Sequence, residues 1–324
     1  MSYESAFGLI RFIYLNLVIT APILGSLVLY LAWRWRRRPP DRRMPWWAIT
    51  AVLPTLALPA VGVYASFIEP FRLQLETAEI PLDPARAGRG PLRIGVLSDI
   101  QTDRVGDHER SAVDRLMAQK PDLILMPGDV FQGGPGELER ELPALQDLLR
   151  RLSAPGGIFC VEGNTDSPKE LRRILEGTAV RLLENGMEEA RVGDRRILIG
   201  GLGPRWSAPE AQKVMAGMET LPGGEDIRIL LAHFPDAALG LKSASRIDLV
   251  VAGHTHGGQI CVPFIGPLLT LSRVPRSVAA GGLHDLDGRR IYVSRGLGME
   301  RGNAPRIRFL CPPEITLLTL KTRA

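Results

Sequence analysis

The stretch DLILMPGD, residues 122–129, is an apolar run that ends in glycine and aspartate. Short, uninterrupted apolar runs bounded by turn-forming residues are typical of buried strands in parallel sheets. The same design recurs at LRIGVLSD (92–99) and GIFCVEGN (157–164). Amphipathic runs at 109–119 and 137–152 separate these strands and predict helices. The alternation of strands and helices predicts an α/β fold with parallel strands in its first half.

The second half of the chain contains further predicted strands. They are RRILIGG (195–201), DIRILLAH (226–233), IDLVVAGH (247–254), IYVSRG (291–296) and EITLLTL (314–320). In both halves, predicted strands end in residues that can bind a metal ion or a phosphate: Asp99, Asp129, Asn164, His233 and His254. Because ligand sites of open α/β sheets form at the carboxyl ends of strands, we expect these five side chains to share one site.

Residues 253–259, GHTHGGQ, complete a set of motifs with Ser98-Asp99, Gly128-Asp129 and Gly163-Asn164. In this order the set resembles the calcineurin-like metallophosphoesterase superfamily, and within it the bacterial membrane-associated branch. The resemblance continues through LAHFPD (231–236), YVSRGLG (292–298) and CPPEITLLTL (311–320), and covers nearly three quarters of the chain. It implies two mixed β-sheets packed as a sandwich and flanked by helices.

The resemblance also implies a site for two divalent metal ions, Mn, Fe or Zn, where a metal-bound hydroxide attacks phosphorus. Asp99 and His256 would bind the first ion, Asn164, His233 and His254 the second, and Asp129 would bridge them. Such a set is chemically sound, because a carboxylate can offer one oxygen to each ion and imidazoles suit these metals. We expect Asp129, Asn164 and His254 to act in catalysis, and Thr165, Gly257 and Gly258 to contact the substrate.

Two positions depart from the family pattern. The first motif usually reads Asp-x-His, and here Gln101 stands in the histidine position. A glutamine can still bind a metal ion through its carbonyl oxygen, but as a weaker and harder ligand. The third motif usually reads Gly-Asn-His-Asp, and here Thr165 replaces the histidine that assists the leaving group. His108 and His284 are candidates to replace it in space, and His108 ranks first.

The missing histidine carries a prediction about the substrate. General acid help is typically worth about 10²–10⁴-fold in rate, and a threonine hydroxyl cannot supply it near neutral pH. Alkyl alcohols need this help, whereas a phosphate leaving from a pyrophosphate does not. We therefore expect a pyrophosphate or a similarly activated phosphoester as substrate.

Charge and cysteine content exclude two other classes of protein. Residues 1–90 hold ten Lys or Arg and six Asp or Glu, whereas residues 91–324 hold thirty and twenty-nine. The nearly neutral main domain lacks the electrostatic footprint of a nucleic-acid-binding protein. Three cysteines in 324 residues are too few for a disulfide scaffold.

The N-terminal region predicts two membrane spans. Residues 12–33 and about 44–68 are long runs without a charged side chain, separated by the Arg-rich loop RWRRRPPDRR (34–43). The positive-inside rule places that loop in the cytoplasm and the large domain outside. A cleaved signal peptide around 42–65 is the alternative, and it also exports the domain. The expected organisation is a membrane anchor (1–68), a connector (69–91) and a phosphoesterase domain (92–324).

These features together predict a membrane-anchored two-metal phosphohydrolase. We expect it in the bacterial inner membrane with the catalytic domain on the periplasmic side. Its partners would be the membrane and a phosphorylated small molecule or lipid, with no nucleic acid and no obligate protein partner. The alternatives are a non-catalytic metal- or phosphate-binding membrane protein and a phosphodiesterase of nucleotide-linked acyl sugars.

Overall fold

The computed structural model describes residues 3–37, 57–83, 90–134, 136–222, 226–301 and 304–322. Its helices are α1 (Tyr3–Arg36), α2 (Asp107–Met117), α3 (Glu137–Arg150), α4 (Pro168–Leu175), α5 (Pro209–Thr220) and α6 (Arg276–Ala279). Residues 57–63 are also helical and continue into a π-helix at Tyr64–Ile68, and short 3-10 turns lie at Glu69–Phe71, Pro235–Gly240 and His256–Gly258. The predicted helices at 109–119 and 137–152 correspond to α2 and α3.

Most of the strands belong to two mixed six-stranded sheets. They are β1 (Gln74–Leu82), β2 (Leu92–Val96), β3 (Leu123–Met126), β4 (Ile158–Cys160), β5 (Val180–Leu182), β6 (Gly186–Val192), β7 (Arg195–Leu202), β8 (Ile227–Ala232), β9 (Leu249–Ala252), β10 (Cys261–Val262), β11 (Gly266–Pro267), β12 (Gly282–Leu286), β13 (Arg289–Val293) and β14 (Glu314–Thr322). Sheet 1 has the order β1-β14-β2-β3-β4-β5, and sheet 2 has the order β12-β13-β9-β8-β7-β6. Strands β10 and β11 form a separate hairpin.

The apolar faces of the two sheets pack against each other. One buried cluster contains Ile94 and Leu125 from sheet 1 together with Ile199 and Leu231 from sheet 2. A second cluster fills the space between sheet 1 and helices α2, α3 and α4, and a third lies between sheet 2 and α5. The prediction of two mixed sheets flanked by helices is confirmed.

Strand register brings the predicted site residues to one edge. In sheet 1, the parallel pairs Val96↔Leu125 and Leu125↔Phe159 align the ends of β2, β3 and β4. In sheet 2, the parallel pair Leu231↔Val251 aligns the ends of β8 and β9. Because the segments that follow these strands carry the motifs, the motifs of both sheets meet where the sheets pack.

The segment predicted as a connector contributes a strand to sheet 1. β1 pairs in parallel with β14, from Gln74↔Glu314 to Leu82↔Thr322. The buried Glu69 accepts a hydrogen bond from the backbone N–H of Cys311, at 2.6 Å. Residues 69–82 are therefore built into the sandwich. The division of the chain at residues 68 and 91 stays a prediction.

The membrane prediction is corrected. The first predicted span lies inside α1, whereas much of the second lies in residues 44–56, outside the described residues. A bilayer requires about 20 consecutive apolar residues in one helix. Within the described ranges, no helix combines the length and the apolar character that a span requires. This finding overturns the prediction of a multi-pass inner-membrane protein with a periplasmic catalytic domain.

Candidate metal centre

The two carboxylates of the site follow neighbouring strands of sheet 1. Asp99 and Asp129 are buried, and their backbones take the left-handed conformation, with φ of 48° and 51°. Non-glycine residues rarely adopt this conformation, and where they do the strain is characteristic of functional sites. Each carboxylate rests against a glycine, Gly253 or Gly163, where any Cβ would collide with it. The glycines of the motifs therefore make room for the acids.

Asp129, Asn164 and His233 form the centre of the cluster. His233 Nδ1 lies 2.8 Å from the carbonyl oxygen of Pro127, and its Nε2 lies 2.7 Å from Asn164 Oδ1 and 3.5 Å from Asp129 Oδ2. A neutral ring that donates from Nδ1 presents a lone pair on Nε2. That lone pair then faces two oxygen acceptors, which is a favourable arrangement when a cation lies among them.

The remaining two histidines approach the cluster from the turn after β9. His256 Nε2 lies 3.8 Å from Asp99 Oδ1, and the ring of His254 lies 5.0 Å from the ring of His233. Both histidines are buried and have positive φ angles, 69° for His254 and 48° for His256. The turn therefore sends its two rings to different parts of the cluster.

Burial drives the two acids and the imidazoles of His254 and His256 toward their neutral forms. Burial raises the pKa of Asp99 to about 7 despite the attraction of His233. Burial, followed by repulsion from Asp166, raises the pKa of Asp129 well above its usual value. Burial and His233 lower the pKa of His254 to about 3, and burial and Arg308 lower that of His256 well below 6.5. A buried cation would favour the ionised acids and would find the imidazoles of His254 and His256 already deprotonated.

The chemistry of these residues fits a divalent metal ion. One ligand atom from each of Asp99, Asp129 and His233 lies within 4.8 Å of the others. His256 Nε2 and Gln101 Oε1 are buried and have no hydrogen-bond partner among the described residues. Because buried polar atoms are almost always paired in proteins, two unpaired ones beside this cluster point to a bound ion.

The predicted substrate contacts are only partly available. The backbone N–H of Thr165 donates to Asp129 Oδ1 at 2.9 Å. The N–H groups of Gly257 and Gly258, predicted to approach phosphate oxygens, donate within the turn to Thr255 Oγ1 at 3.3 Å and Thr255 O at 2.6 Å. Both glycine N–H groups are therefore already engaged.

Both candidates for the missing histidine are hydrogen-bonded to backbone carbonyl oxygens. His108 Nε2 lies 3.3 Å from the carbonyl oxygen of Leu297, and its ring packs edge-on against Phe71. His284, in the edge strand β12, has its Nε2 2.9 Å from the carbonyl oxygen of Gly281. Each ring therefore already has a backbone partner.

Sequence reasoning assigned no role to three residues around the cluster. Asp166 accepts hydrogen bonds from the backbone N–H groups of Asp129, Val130 and Gly163, and so ties the loops after β3 and β4 together. The fully buried Arg308 donates to the carbonyl oxygens of Arg295, Gly296 and Cys311 behind His256. Glu300 lines the same cleft as His254 and His256. Asp166 could have been found from the Gly-Asn-x-Asp motif, whereas nothing in the local sequence marks Arg308 or Glu300.

Comparison with known proteins identifies this arrangement of sheets and ligands. A family model described as calcineurin-like phosphoesterase matches residues 92–258. The chain is 30% identical over 271 residues to the uncharacterized metallophosphoesterase YkuE of Bacillus subtilis, covering 80% of this chain and 89% of the relative. It is 29% identical over 280 residues to the phosphodiesterase YaeI of Escherichia coli, covering 84% and 97%. It is 27% identical over 332 residues to the UDP-2,3-diacylglucosamine pyrophosphatase LpxG of Chlamydia muridarum, covering 84% and 95%.

The class of protein is therefore a metal-dependent phosphoester hydrolase. The chain belongs to the calcineurin-like phosphoesterase family, as the motifs predicted. The family works with divalent metal ions, and the Asp99–Asp129–His233 group is a candidate to bind one. The alternative of a non-catalytic binding protein is set aside.

Proposed function

We propose that this chain uses two divalent metal ions to cleave a pyrophosphate or similarly activated phosphoester in a lipid-linked or phospholipid-like substrate. The observation that carries the proposal is the convergence of ligand atoms from Asp99, Asp129 and His233 within 4.8 Å. These residues come from the ends of three strands in two sheets. Packing alone would not gather two acids and an imidazole at one buried point, because each such group is costly to bury.

The ligand roles follow from the grouping of the side chains. In the proposal, Asp99, His256 and Gln101 hold the first ion, Asn164, His233 and His254 hold the second, and Asp129 contacts both. Divalent ions of this kind, Mn, Fe or Zn, supply activated water and neutralise charge on a phosphoryl group. The chain's own contribution is to fix the ligands: the Pro127 carbonyl oxygen orients His233, and Asp166 holds the loop that carries Asp129.

The nature of the leaving group follows from Thr165. A general acid at this position would sit beside Asp129, because the Thr165 N–H donates to that carboxylate. Thr165 itself cannot deliver a proton near neutral pH, and His108 and His284 are hydrogen-bonded to Leu297 and Gly281. The proposed substrate therefore carries a leaving group that is stable as an anion, such as a phosphate of a pyrophosphate.

A nucleotide-linked acyl sugar is the second candidate substrate. The relative LpxG is named as a UDP-2,3-diacylglucosamine pyrophosphatase, and its match covers 84% of this chain. Such a compound combines an acidic leaving group with a lipid-like portion, so it meets the requirement that Thr165 imposes.

Hydrolysis assays on a matched panel of substrates test the proposal. Purified protein with added Mn²⁺ would receive a chromogenic aryl phosphodiester, an alkyl phosphodiester, a lipid pyrophosphate and a UDP-linked acyl sugar. We expect turnover of the pyrophosphates and the aryl ester, little turnover of the alkyl ester, and no turnover by Asp129→Ala. Faster cleavage of the alkyl ester than of the pyrophosphates would refute the leaving-group argument. Equal activity of Asp129→Ala would refute the metal site.

A further inference from the structure

Gln101 occupies the position where the family usually has a histidine, and its backbone is fully engaged. Its N–H donates to the carbonyl oxygen of Asp129 at 2.9 Å, and its own carbonyl oxygen accepts from Arg301 Nε at 2.6 Å. The residue is completely buried, with a φ of 40°. A left-handed glutamine held at both backbone groups has little freedom, so the orientation of its side chain is a property of the site.

The amide nitrogen of Gln101 is also engaged. Gln101 Nε2 donates to Gln132 Oε1 at 3.1 Å. Burial raises the pKa of Glu300, and the neighbouring side chains of Gln101 and Gln132 lower it by stabilising the charged carboxylate. A carboxylate only accepts, so both glutamines stabilise it through their NH₂ groups. The NH₂ group of Gln101 therefore faces both Gln132 and Glu300, and the three side chains form a ring.

One polar atom of Gln101, the amide oxygen, takes no part in this ring. Gln101 Oε1 is buried and has no hydrogen-bond partner among the described residues. The nitrogen of an amide donates hydrogen bonds and its oxygen accepts them. Because the Gln101 nitrogen faces Glu300 and Gln132, the Gln101 oxygen points away from them. The oxygen keeps both lone pairs available in a region where buried polar atoms are otherwise paired.

Glu300 belongs to the same site by position and by charge. It lines the cleft with His254 and His256, and its backbone N–H donates to Gln259 Oε1 at 2.7 Å. Its carboxylate interacts electrostatically with Asp129 and with His233. The ring therefore borders the proposed metal ligands.

We propose that Glu300 and Gln132 are positioning residues that hold the Gln101 amide with its oxygen free to bind the first metal ion. The inference rests on the two-metal function proposed above and assigns that function a feature particular to this chain. Residues that orient a metal ligand typically change metal affinity by about 10–100-fold when they are removed. An amide oxygen is a harder ligand than an imidazole, so the first site should favour Mn²⁺ relative to Zn²⁺ more than a site with a histidine at this position does.

Metal binding measured without substrate tests the proposal. Full-length protein stripped of metal would be titrated with Mn²⁺, with stoichiometry and affinity followed by calorimetry and by the Mn²⁺ electron paramagnetic resonance signal. We expect two ions per chain in the unmodified protein, and Glu300→Ala to weaken one of them by about 10–100-fold. Glu300→Gln keeps an acceptor oxygen for the Gln101 amide, so it should restore most of the lost affinity. Glu162→Ala, which removes another half-buried acid near Asp166, should leave both affinities within a few-fold.

The same Glu300 substitution, made in a protein that also carries a change at Gln101, separates orientation of the Gln101 amide from other effects of Glu300. In Gln101→Ala the amide ligand is absent, so no side chain is left at position 101 for Glu300 to orient. Adding Glu300→Ala to Gln101→Ala should therefore cost little further Mn²⁺ affinity. Gln101→His, which supplies an imidazole, should shift the preference of the first site toward Zn²⁺. Equal losses from Glu300→Ala with and without Gln101→Ala would overturn the proposal, as would unchanged Mn²⁺ affinity in Glu300→Ala. If Glu300→Ala does not fold, Gln132→Met carries the same test.

The outcomes also distinguish this inference from the proposed function. An unmodified protein that binds no Mn²⁺ would refute the two-metal function and the inference together. Two bound ions that are indifferent to Glu300 and Gln132 would refute the inference alone.

Discussion

The two sheets bring opposite chemistry to one site. The strand ends of sheet 1 carry the side-chain oxygens of Asp99, Asp129 and Asn164, whereas those of sheet 2 carry the imidazoles of His233 and His254. Burial raises the pKa of the acids and lowers that of His254, so each half is pushed toward neutrality. A divalent cation favours the charged form of the first half and the neutral form of the second. The contrast teaches that neither sheet alone is the site.

Removing one negative charge from the sheet 1 side of the site should have the largest effect on activity. Asp129→Asn keeps an oxygen for the Thr165 N–H but loses the negative charge that Asp129 would contribute to a metal site. We expect kcat/KM to fall on the order of 10³-fold or more, because stabilisation of the phosphoryl charge is lost. The unfolding free energy of the metal-free protein should not fall, because burial already disfavours the ionised acid.

Asp122→Asn is the matched control for this change. Asp122 lies just before β3, at the opposite end of the strand from Asp129, and accepts a hydrogen bond from the Arg93 N–H. Its activity should stay within a few-fold. Similar losses in both variants would show that the strand, and not the metal site, is sensitive to charge.

Introducing an imidazole on the sheet 1 side of the site should reduce the chemical difference between the two sheets. Thr165→His places a general acid beside Asp129, and we expect cleavage of an alkyl phosphodiester to rise by about 10²-fold. Pyrophosphate cleavage should change only a few-fold, because its leaving group needs no proton. Thr165→Asn, which cannot transfer a proton, is the control. An equal gain on both substrates would contradict the role assigned to this position.

The acids on the sheet 1 side of the site should also set the pH dependence of metal affinity. Asp99 has a pKa of about 7 without metal, so an ion must displace its proton below pH 7 and meets a carboxylate above it. His254, with a pKa of about 3, holds no proton throughout this range. Mn²⁺ affinity should therefore rise about tenfold per pH unit for each displaced proton up to pH 7.

Calorimetry between pH 5.5 and 8.5, in buffers of different ionisation enthalpy, counts the displaced protons. In Asp99→Asn the count below pH 7 should fall by one. A count that Asp99→Asn leaves unchanged would assign the proton to another group.

The smallest expected effect concerns Gly253, the glycine that allows the two sheets to approach each other at the site. A Cβ at Gly253, which follows β9 of sheet 2, would collide with the Asp99 carboxylate and the Ser98 hydroxyl of sheet 1. We expect Gly253→Ala to lower the free energy of unfolding by about 1–3 kcal/mol, as overpacking does. Gly186→Ala, at a site with nothing within 4 Å, should be neutral or slightly stabilising. Chemical denaturation of the metal-free proteins compares the two.

The sequence predicted the strands and the motif residues well because both are local signals. LILM at 123–126 is a buried strand, and Asp129 follows it, as the pattern requires. Parallel pairing also sets the strand register, so motifs that follow neighbouring strands lie at one edge of the sheet. The pairing of β1 with β14 was not predicted, because a pairing between distant strands leaves no mark in either segment.

The membrane prediction was wrong because of the sequence property on which it was based. It relied on an uncharged run, and charge content alone does not define a spanning helix. The ring of Gln101, Gln132 and Glu300 escaped prediction because its members come from three loops. Only the folded backbone brings them together, and no spacing in the sequence encodes the contact.

The position of β14 has a consequence for the order in which the protein takes shape on the ribosome. β14 lies between β1 and β2 in sheet 1, although it follows β2 by about 220 residues. At about 5–20 residues per second, the ribosome needs roughly 10–45 s to deliver it. Until then β2 presents an unpaired edge, and β1 has no neighbour in the sheet. The nascent protein therefore cannot close sheet 1 until residues 314–322 have been made, and it depends on β14 to shield the edge of β2 from other chains.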